Sequence, residues 1–478
     1  MRFVGRSAPL ARFDALLARV AHDGTGVMLA VRGRRQVGKS RLLTEFVTRS
    51  GTGHVYFTAV KSAGAAQQLD TFAREARGAI PAIPDADSLF AVAAGSWTEV
   101  FTRLRLAAAA GPLVVVLDEF PWACESTPTL EGELQNAWDR HLQHLPILVV
   151  LVGSDVTTME RLTHHDRPLY GRAREEVVQP FNPAETSAAL GGDTSAWQAF
   201  DAHLVTGGYP KLVDELARAG SVRAYVERGC SDENEDLVVV AQRSLDAEFP
   251  AEAQARQVLS AIGGHEVGHA TFSSVVGLLG DGLGASSVAL TRALKVLADQ
   301  KGVIAIDTPV GQGASGRLRR YRITDPYLRW WFRFIAPQLA NIARGRGDVA
   351  VRAFEAGWPA WRGVAIEPIV REAVLRLAPS TPALATVDRV GAWWNRDQSV
   401  EVDLVAANSG QVAAIGTIKW RARTRLTAAE VGDLAAARST IPAAGAARLV
   451  GVCPAGVATG AGADVTFDAA DLLAAWPG

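Results

Sequence analysis

Residues 27–46 read VMLAVRGRRQVGKSRLLTEF. Val27-Met28-Leu29-Ala30-Val31 is an apolar run of the length and composition of a buried strand. Gly33-Arg34-Arg35-Gln36-Val37-Gly38-Lys39-Ser40 follows at once, and Arg41-Leu42-Leu43-Thr44-Glu45-Phe46 then has helical spacing. Strand, glycine-rich turn and helix in that order form the context of a phosphate-binding loop, the Walker A motif. Gly33 and Gly38 let the backbone curl so that its N–H groups point inward at phosphate oxygens. The helix N-terminus adds partial positive charge behind them. Lys39 is placed to reach the β- and γ-phosphates, and the Ser40 hydroxyl to hold Mg²⁺. Residues Gly33 to Arg41 are therefore the expected binding segment for a nucleoside triphosphate, ATP with Mg²⁺.

Composition bounds what else the chain can be. At 478 residues the length suits about three domains. A content of 48% hydrophobic and 21% charged residues is that of a globular protein with ample core. The net charge of -1 leaves any DNA contact to a local patch. Cys124, Cys230 and Cys453 are scattered and odd in number, which suits neither a disulfide framework nor a zinc cluster and points to a reducing cytoplasm. The start of the chain is charged and amphipathic, unlike a signal peptide. No apolar run approaches the roughly 20 residues of a membrane span, so no membrane partner is expected.

Further along, Phe3-Val4-Gly5-Arg6 precedes an amphipathic helix, and His54 to Thr58 has strand character. Leu113-Val114-Val115-Val116-Leu117 is a second buried strand, and it releases Asp118-Glu119 at its C-terminal end. Acids at that edge of a parallel sheet stand where such sheets bind ligands. Asp118 is the expected Mg²⁺ ligand through water, and Glu119 the group that orients or deprotonates the attacking water. Ile147 to Val152 is a further strand, ending in Gly153-Ser154. Ser154 can bridge the water and the γ-phosphate as a sensor, or simply cap the next turn. In Pro168-Leu169-Tyr170-Gly171-Arg172, Arg172 can supply charge to the transition state, in cis or to a neighbouring subunit, or be an ordinary surface arginine.

Helical patterns dominate from Phe181, and Thr206-Gly207-Gly208-Tyr209-Pro210 opens one helix with its proline at a tolerated place. Residues 251–335 have the pattern of a winged helix: three short amphipathic helices, then a hairpin with a glycine-rich tip. Its cations are Arg292 and Lys295 on the third helix and Arg317, Arg319 and Arg320 on the wing, a modest basic face. His265-Glu266-Val267-Gly268-His269 satisfies the H-E-x-x-H zinc-protease pattern. Gly263, Gly264 and Gly268 oppose the helix that this chemistry needs, and no third ligand follows at suitable spacing.

A last domain begins near Arg344. Val400 to Val405 and Val412 to Trp420 read as hairpin strands joined through Asn408-Ser409-Gly410. Alternation puts Glu401 and Asp403 on one face, and Thr417 and Lys419 on one face. An acid on one strand and x-x-Lys on the next is the skeleton of a restriction-endonuclease-like metal site.

FVGR, GRRQVGKSRLL, VVLDEFPW, LVGSDVTTME, PLYGR, TGGYP, YRITDPYLRWWFRFIAP and GAWW…EVDLV…IKW occur collinearly over nearly the whole chain. In these segments it resembles the archaeal-type P-loop ATPases of prokaryotes, relatives of the STAND and AAA+ ATPases. The resemblance implies an α/β fold with an ASCE-type parallel sheet, a helical lid, a winged helix and a C-terminal PD-(D/E)xK-like domain. It implies domains at 1–180, 181–250, 251–335 and 340–478. It also implies the roles given above for Lys39, Ser40, Asp118, Glu119, Ser154 and Arg172. Where that family usually reads G-E-x-K-W, this chain has Gly416-Thr417-Ile418-Lys419-Trp420, so one ligand acid is missing. Glu401 or Glu367 would have to replace it.

The expectation is therefore an ATP-hydrolysing conformational switch carrying a winged helix and an inactive nuclease-like module. Its rivals are an ATP-gated DNA nuclease and an ATP-sensing transcription regulator without turnover. DNA, bound through the winged helix or the last domain, and a second copy of the chain are the candidate partners.

Overall fold

The computed structural model describes residues 3–153, 156–162, 164–192, 194–249, 254–264, 269–280, 287–311 and 318–476. Two compact units emerge, Met1–Pro180 and Phe181–Gly478. No helix among the described residues is long and apolar enough to cross a membrane.

In the first unit, β1 (Val27–Arg32), β2 (His54–Thr58), β3 (Leu113–Asp118), β4 (Ile147–Gly153) and β5 (Ala173–Val177) form one sheet in the order β2-β3-β4-β1-β5. All its pairings are parallel. β4 lies between β1 and β3, the arrangement expected of the ASCE class. β3 and β4 are buried throughout, as strands covered by helices on both faces must be. Phe57, Phe72, Trp97 and Phe101 make a chain of ring contacts at 5.5–6.2 Å between β2 and its covering helices. β5 breaks the pattern. Its residues Arg174, Glu175 and Glu176 give it a polar face at the sheet edge, and Glu175 and Glu176 pair with Arg32 and Arg12.

The second unit opens with five helices, from Pro183–Leu190 to Asp236–Glu248. Three more, Gln254–Gly263, Phe272–Leu279 and Ser287–Lys295, accompany an antiparallel sheet of β6 (Ala270–Thr271), β8 (Arg320–Ile323) and β7 (Ile304–Asp307), with β8 in the middle. After the helices Pro326–Phe334, Gly347–Ala365 and Glu367–Leu377 comes a five-stranded mixed sheet. Its strands are β9 (Arg389–Trp394), β10 (Glu401–Asn408), β11 (Gln411–Ile418), β12 (Arg448–Val452) and β13 (Val465–Phe467), in the order β13-β12-β11-β10-β9. The β10–β11 hairpin closes through Ser409 and Gly410, both at positive φ, as a two-residue hairpin turn requires.

Two of the sequence segments meet here. The TGGYP turn packs on the start of Pro326–Phe334: a Cβ at Gly207 would stand 2.8 Å from that of Tyr327, and Tyr209 donates to Asp325 at 2.7 Å. Tyr327 in turn donates to the Leu237 carbonyl and accepts from the Ala241 amide, and the Trp331 indole donates to the Val238 carbonyl. The aromatic helix thus satisfies the polar ends of its own side chains by locking Asp236–Glu248 in place.

Candidate nucleotide-binding site

The loop after β1 delivers its functional groups to the C-terminal edge of the sheet. Gly33 is required by close approach, since a Cβ there would lie 2.4 Å from the Val178 carbonyl oxygen. Gly38 sits at φ 89°, in the left-handed region, and ends the turn so that Lys39 starts the helix Lys39–Ser50. Lys39 is 7% exposed. Its Nζ donates to the carbonyls of Gly33 at 2.7 Å and Arg34 at 3.1 Å. Burial pulls its pKa down from 10.5 to about 8, although Glu119 and Asp118 favour the charged form. Arg35, Gln36, Ser40 and Arg41 are exposed, and Val37 is fully buried beneath the loop.

Asp118 ends β3, buried at 5% exposure, and accepts from Ser40 Oγ at 2.7 Å and from the Tyr56 hydroxyl at 3.0 Å on the same oxygen. Its other oxygen takes the Glu119 amide at 3.0 Å. The pair of Ser40 and Asp118 oxygens is a hard donor set that suits Mg²⁺, which would neutralise phosphate charge there. Glu119 follows in left-handed backbone conformation (φ 52°), a costly geometry for a non-glycine residue. Lys39, Ser40, Asp118 and Glu119 are thus brought to one place from two strands about 80 residues apart in sequence.

Two further residues belong to this site that the sequence motifs did not single out. Arg6, from FVGR, is 5% exposed and donates to the Val37 carbonyl at 2.7 Å and to the Gln179 carbonyl, holding the loop from beneath. Tyr56 binds Asp118 from the neighbouring strand, and burial together with that carboxylate raises its pKa, so it remains a donor. Only the FVGR segment carried any signal; Tyr56 became readable through the pairing of β2 with β3.

Arg172 stands elsewhere. Ala173 pairs with Met28 and Val177 with Arg32 in parallel register, so Arg172 lies at the N-terminal edge of the sheet, opposite the loop. At about 3.3 Å rise per residue the separation from Gly33 is roughly 20 Å. Its guanidinium is held bidentately by Asp139 (2.7 Å twice) and by the carbonyls of Pro168 and Tyr170. Ser154 lies outside the described residues, as do His265 to Gly268 of the zinc-protease pattern.

Residues 3–216 match an ATPase domain family found predominantly in Archaea. The first part of the chain is thus similar to archaeal-type P-loop ATPase domains. Residues 331–431 of this ATPase match a family described as archaeal and bacterial proteins of unknown function. An uncharacterized protein of Methanocaldococcus jannaschii is 23% identical to it over 399 residues, 82% of each chain. Among solved structures, it is similar to a Walker-type ATPase of Pyrococcus abyssi (18% identity, TM-score 0.47, 69% of this chain and 96% of that one). It is also similar to the Aeropyrum pernix ORC2 protein in its ADPNP-ADP complexes (15% identity, TM-score 0.43, 73% and 95%).

The residues singled out in the last domain are placed close together. Asp403 accepts from the Ile418 amide at 2.8 Å and Thr417 Oγ1 at 3.1 Å, and Lys419 Nζ stands 3.9 Å away. Glu401 is already engaged, paired bidentately with Arg320 (2.6 and 3.1 Å) and with His269 (3.2 Å). Burial alone would raise the Glu401 pKa; its bonds to His269 and Arg320 outweigh this and hold it at about 2. Glu367 is 9% exposed, pushed up to about 8 by burial against the pull of Arg371. Arg320 is corrected as a wing cation: it is 3% exposed and lies 4.0 Å over the Trp394 ring. Arg292, Lys295 and Arg319 are exposed, and Arg317 lies outside the described residues.

Proposed function

We propose that this ATPase is a conformational switch, with hydrolysis centred on Lys39, Ser40, Asp118 and Glu119. The observation that carries the reading is the joining of Ser40 Oγ to Asp118 Oδ2 at 2.7 Å beside the buried Lys39 ammonium. Lys39 and the loop amides bind phosphate, Ser40 and Asp118 hold Mg²⁺, and Glu119 orients the attacking water and takes its proton. Ser154 is assigned as the sensor on the family resemblance, and Arg172 is left as a residue that acts on a second copy of the chain.

In this reading residues 1–180 are the ATPase domain, 181–250 a helical lid, 251–335 a winged helix and 340–478 a nuclease-like domain. The three helices and the β6-β8-β7 sheet support the winged-helix assignment. With Arg320 withdrawn, the basic face among the described residues comprises Arg292, Lys295 and Arg319, a weak platform for DNA. The last domain is inactive as a nuclease. Thr417 offers a neutral hydroxyl where an acid is needed, and Glu401 is bound to Arg320 and His269. The cysteine usage favours a cytoplasmic setting.

Multiple-turnover phosphate release tests the switch. Glu119→Gln keeps the shape of the site, so Mg·ATP binding persists while turnover falls about 10²- to 10⁴-fold. Wild-type turnover in that variant removes Glu119 from the mechanism. Absence of turnover in the wild-type chain would favour a sensor that binds ATP without hydrolysing it.

A further inference from the structure

The helices Ala196–Thr206, Pro210–Ala219 and Val222–Gly229 and the helix Gly347–Ala365 line a half-open cavity of about 570 Å³. It lies wholly within the second unit, apart from the loop and acids described above. Its volume falls in the range of small-molecule sites, roughly 300–1,000 Å³. Two indoles, Trp197 and Trp358, line it together with the aliphatic side chains of Leu216 and Val222. Among the described residues its charged groups are one anion, Asp201, and one cation, Arg362.

Asp201 is 5% exposed and sits in a region otherwise built from apolar helix faces. It accepts from Arg362 Nη1 at 2.7 Å and from the Trp420 indole at 3.3 Å. A carboxylate offers about four acceptor positions, so two remain open. Burial raises the Asp201 pKa to about 6 in spite of both partners, the condition of a carboxylate short of donors. Arg362 donates through Nη1 to Asp201 and through Nη2 to the Trp420 carbonyl, which leaves a further N–H on each of those nitrogens; its Nε is buried out of a ligand's reach. The ion pair therefore presents unused acceptor and donor capacity side by side.

That chemistry excludes several ligand classes. A phosphate or other polyanion would need more than the single cation, which already faces an acid. A divalent metal would meet neutral hydroxyl and amide oxygens of Thr194, Gln198 and Ser221 but a carboxylate already held by Arg362, which leaves its charge unbalanced. An amino-acid zwitterion would bring two further full charges into a site walled by indoles and aliphatic side chains, at a desolvation cost that a neutral ring does not incur. A flat ring with an amino group beside a ring acceptor brings none: the amino group donates to Asp201, the ring atom accepts from Arg362, and the ring faces meet the indoles.

We propose that the cavity bounded by Trp197, Trp358, Asp201 and Arg362 binds an uncharged, amino-bearing heteroaromatic molecule of the nucleobase class. Because it joins the helices after Phe181 to the helix Gly347–Ala365 of the last domain, an occupant would clamp those elements together.

The test is titration of the full chain with 2-aminopurine riboside, followed by the probe's own fluorescence, in saturating ADP and Mg²⁺ so that the phosphate-binding loop is filled. Adenosine, guanosine and cytidine are run as competitors and free tryptophan as the zwitterionic control. Saturable binding is expected, weakened about 10- to 100-fold by Asp201→Asn and at least as much by Ala217→Phe, which fills the cavity without removing a polar contact. Thermal melting checks that each variant folds. Binding that persists in Lys39→Ala separates this site from the ATP site, so it survives a failure of the ATPase reading. No saturable binding by any of the nucleosides, binding unchanged in both folded cavity variants, or a preference for tryptophan overturns the proposal.

Discussion

Lys39→Met is expected to stabilise the nucleotide-free protein while abolishing ATP binding. The ammonium is 7% exposed, and its pKa falls from 10.5 to about 8 mainly through burial. That displacement corresponds to about 3 kcal/mol by which folding disfavours the charged lysine. Methionine fills similar space without the charge but loses donation to the Gly33 and Arg34 carbonyls at 2.7 and 3.1 Å. Those two bonds offset part of the gain, leaving about 1–2 kcal/mol at pH 7. For a unit of this size that is roughly 3–6 °C in melting temperature. The pH dependence is diagnostic. Below pH 8 lysine is protonated in both folded and unfolded chains, so the wild type bears the full cost. Between about 8 and 10.5 the folded chain has lost a proton that the unfolded chain retains, so wild-type stability rises with pH through that window. The advantage of the variant should therefore shrink from pH 7 to pH 10. Thermal or urea melting of both proteins at the two pH values, with ATP titration alongside, makes the comparison. A variant less stable than wild type at pH 7, or a difference that does not change with pH, refutes the argument, and retained wild-type ATP affinity refutes the site.

If Arg172 acts on a second copy, the ATPase rate per chain rises with protein concentration and Arg172→Ala flattens that rise; a rate independent of concentration leaves it a structural partner of Asp139. Glu401→Ala leaves Arg320, at 3% exposure, without its carboxylate; urea unfolding should show a loss of about 2–4 kcal/mol, and a loss below 0.5 kcal/mol would mean that water reaches the guanidinium freely. The full chain with ATP should leave plasmid DNA intact in Mg²⁺ and in Mn²⁺; cleavage that disappears in Asp403→Ala would reinstate the nuclease. Cleavage gained by Thr417→Glu would show that one missing acid silences the site.

Local chemistry was legible because its determinants lie next to each other in sequence. The apolar runs of β1, β3 and β4, the glycines at 33 and 38 and the acids at 118 and 119 needed only their neighbours to be read. The hairpin at Ser409-Gly410 was likewise written in its turn residues. β5 was not legible, since an edge strand with Arg174, Glu175 and Glu176 has neither an apolar run nor clean alternation; pairing with β1 makes it a strand. The short strand β13 and the helix Ala469–Leu473 were equally silent.

The sequence by itself determined the phosphate-binding loop, the acid pair and the helical and hairpin character of the remaining segments, because short-range spacing and backbone preference specify those. Tertiary structure alone decided which charges face each other. It placed Arg172 against Asp139 at the edge of the sheet opposite the phosphate-binding loop and withdrew Arg320 from the wing to Glu401 and Trp394. It put Tyr56 on Asp118 and Asp201 on Arg362 across 62 and 161 residues of chain. A side chain's partner depends on strand register and helix packing, and neither is encoded within reach of the residue itself.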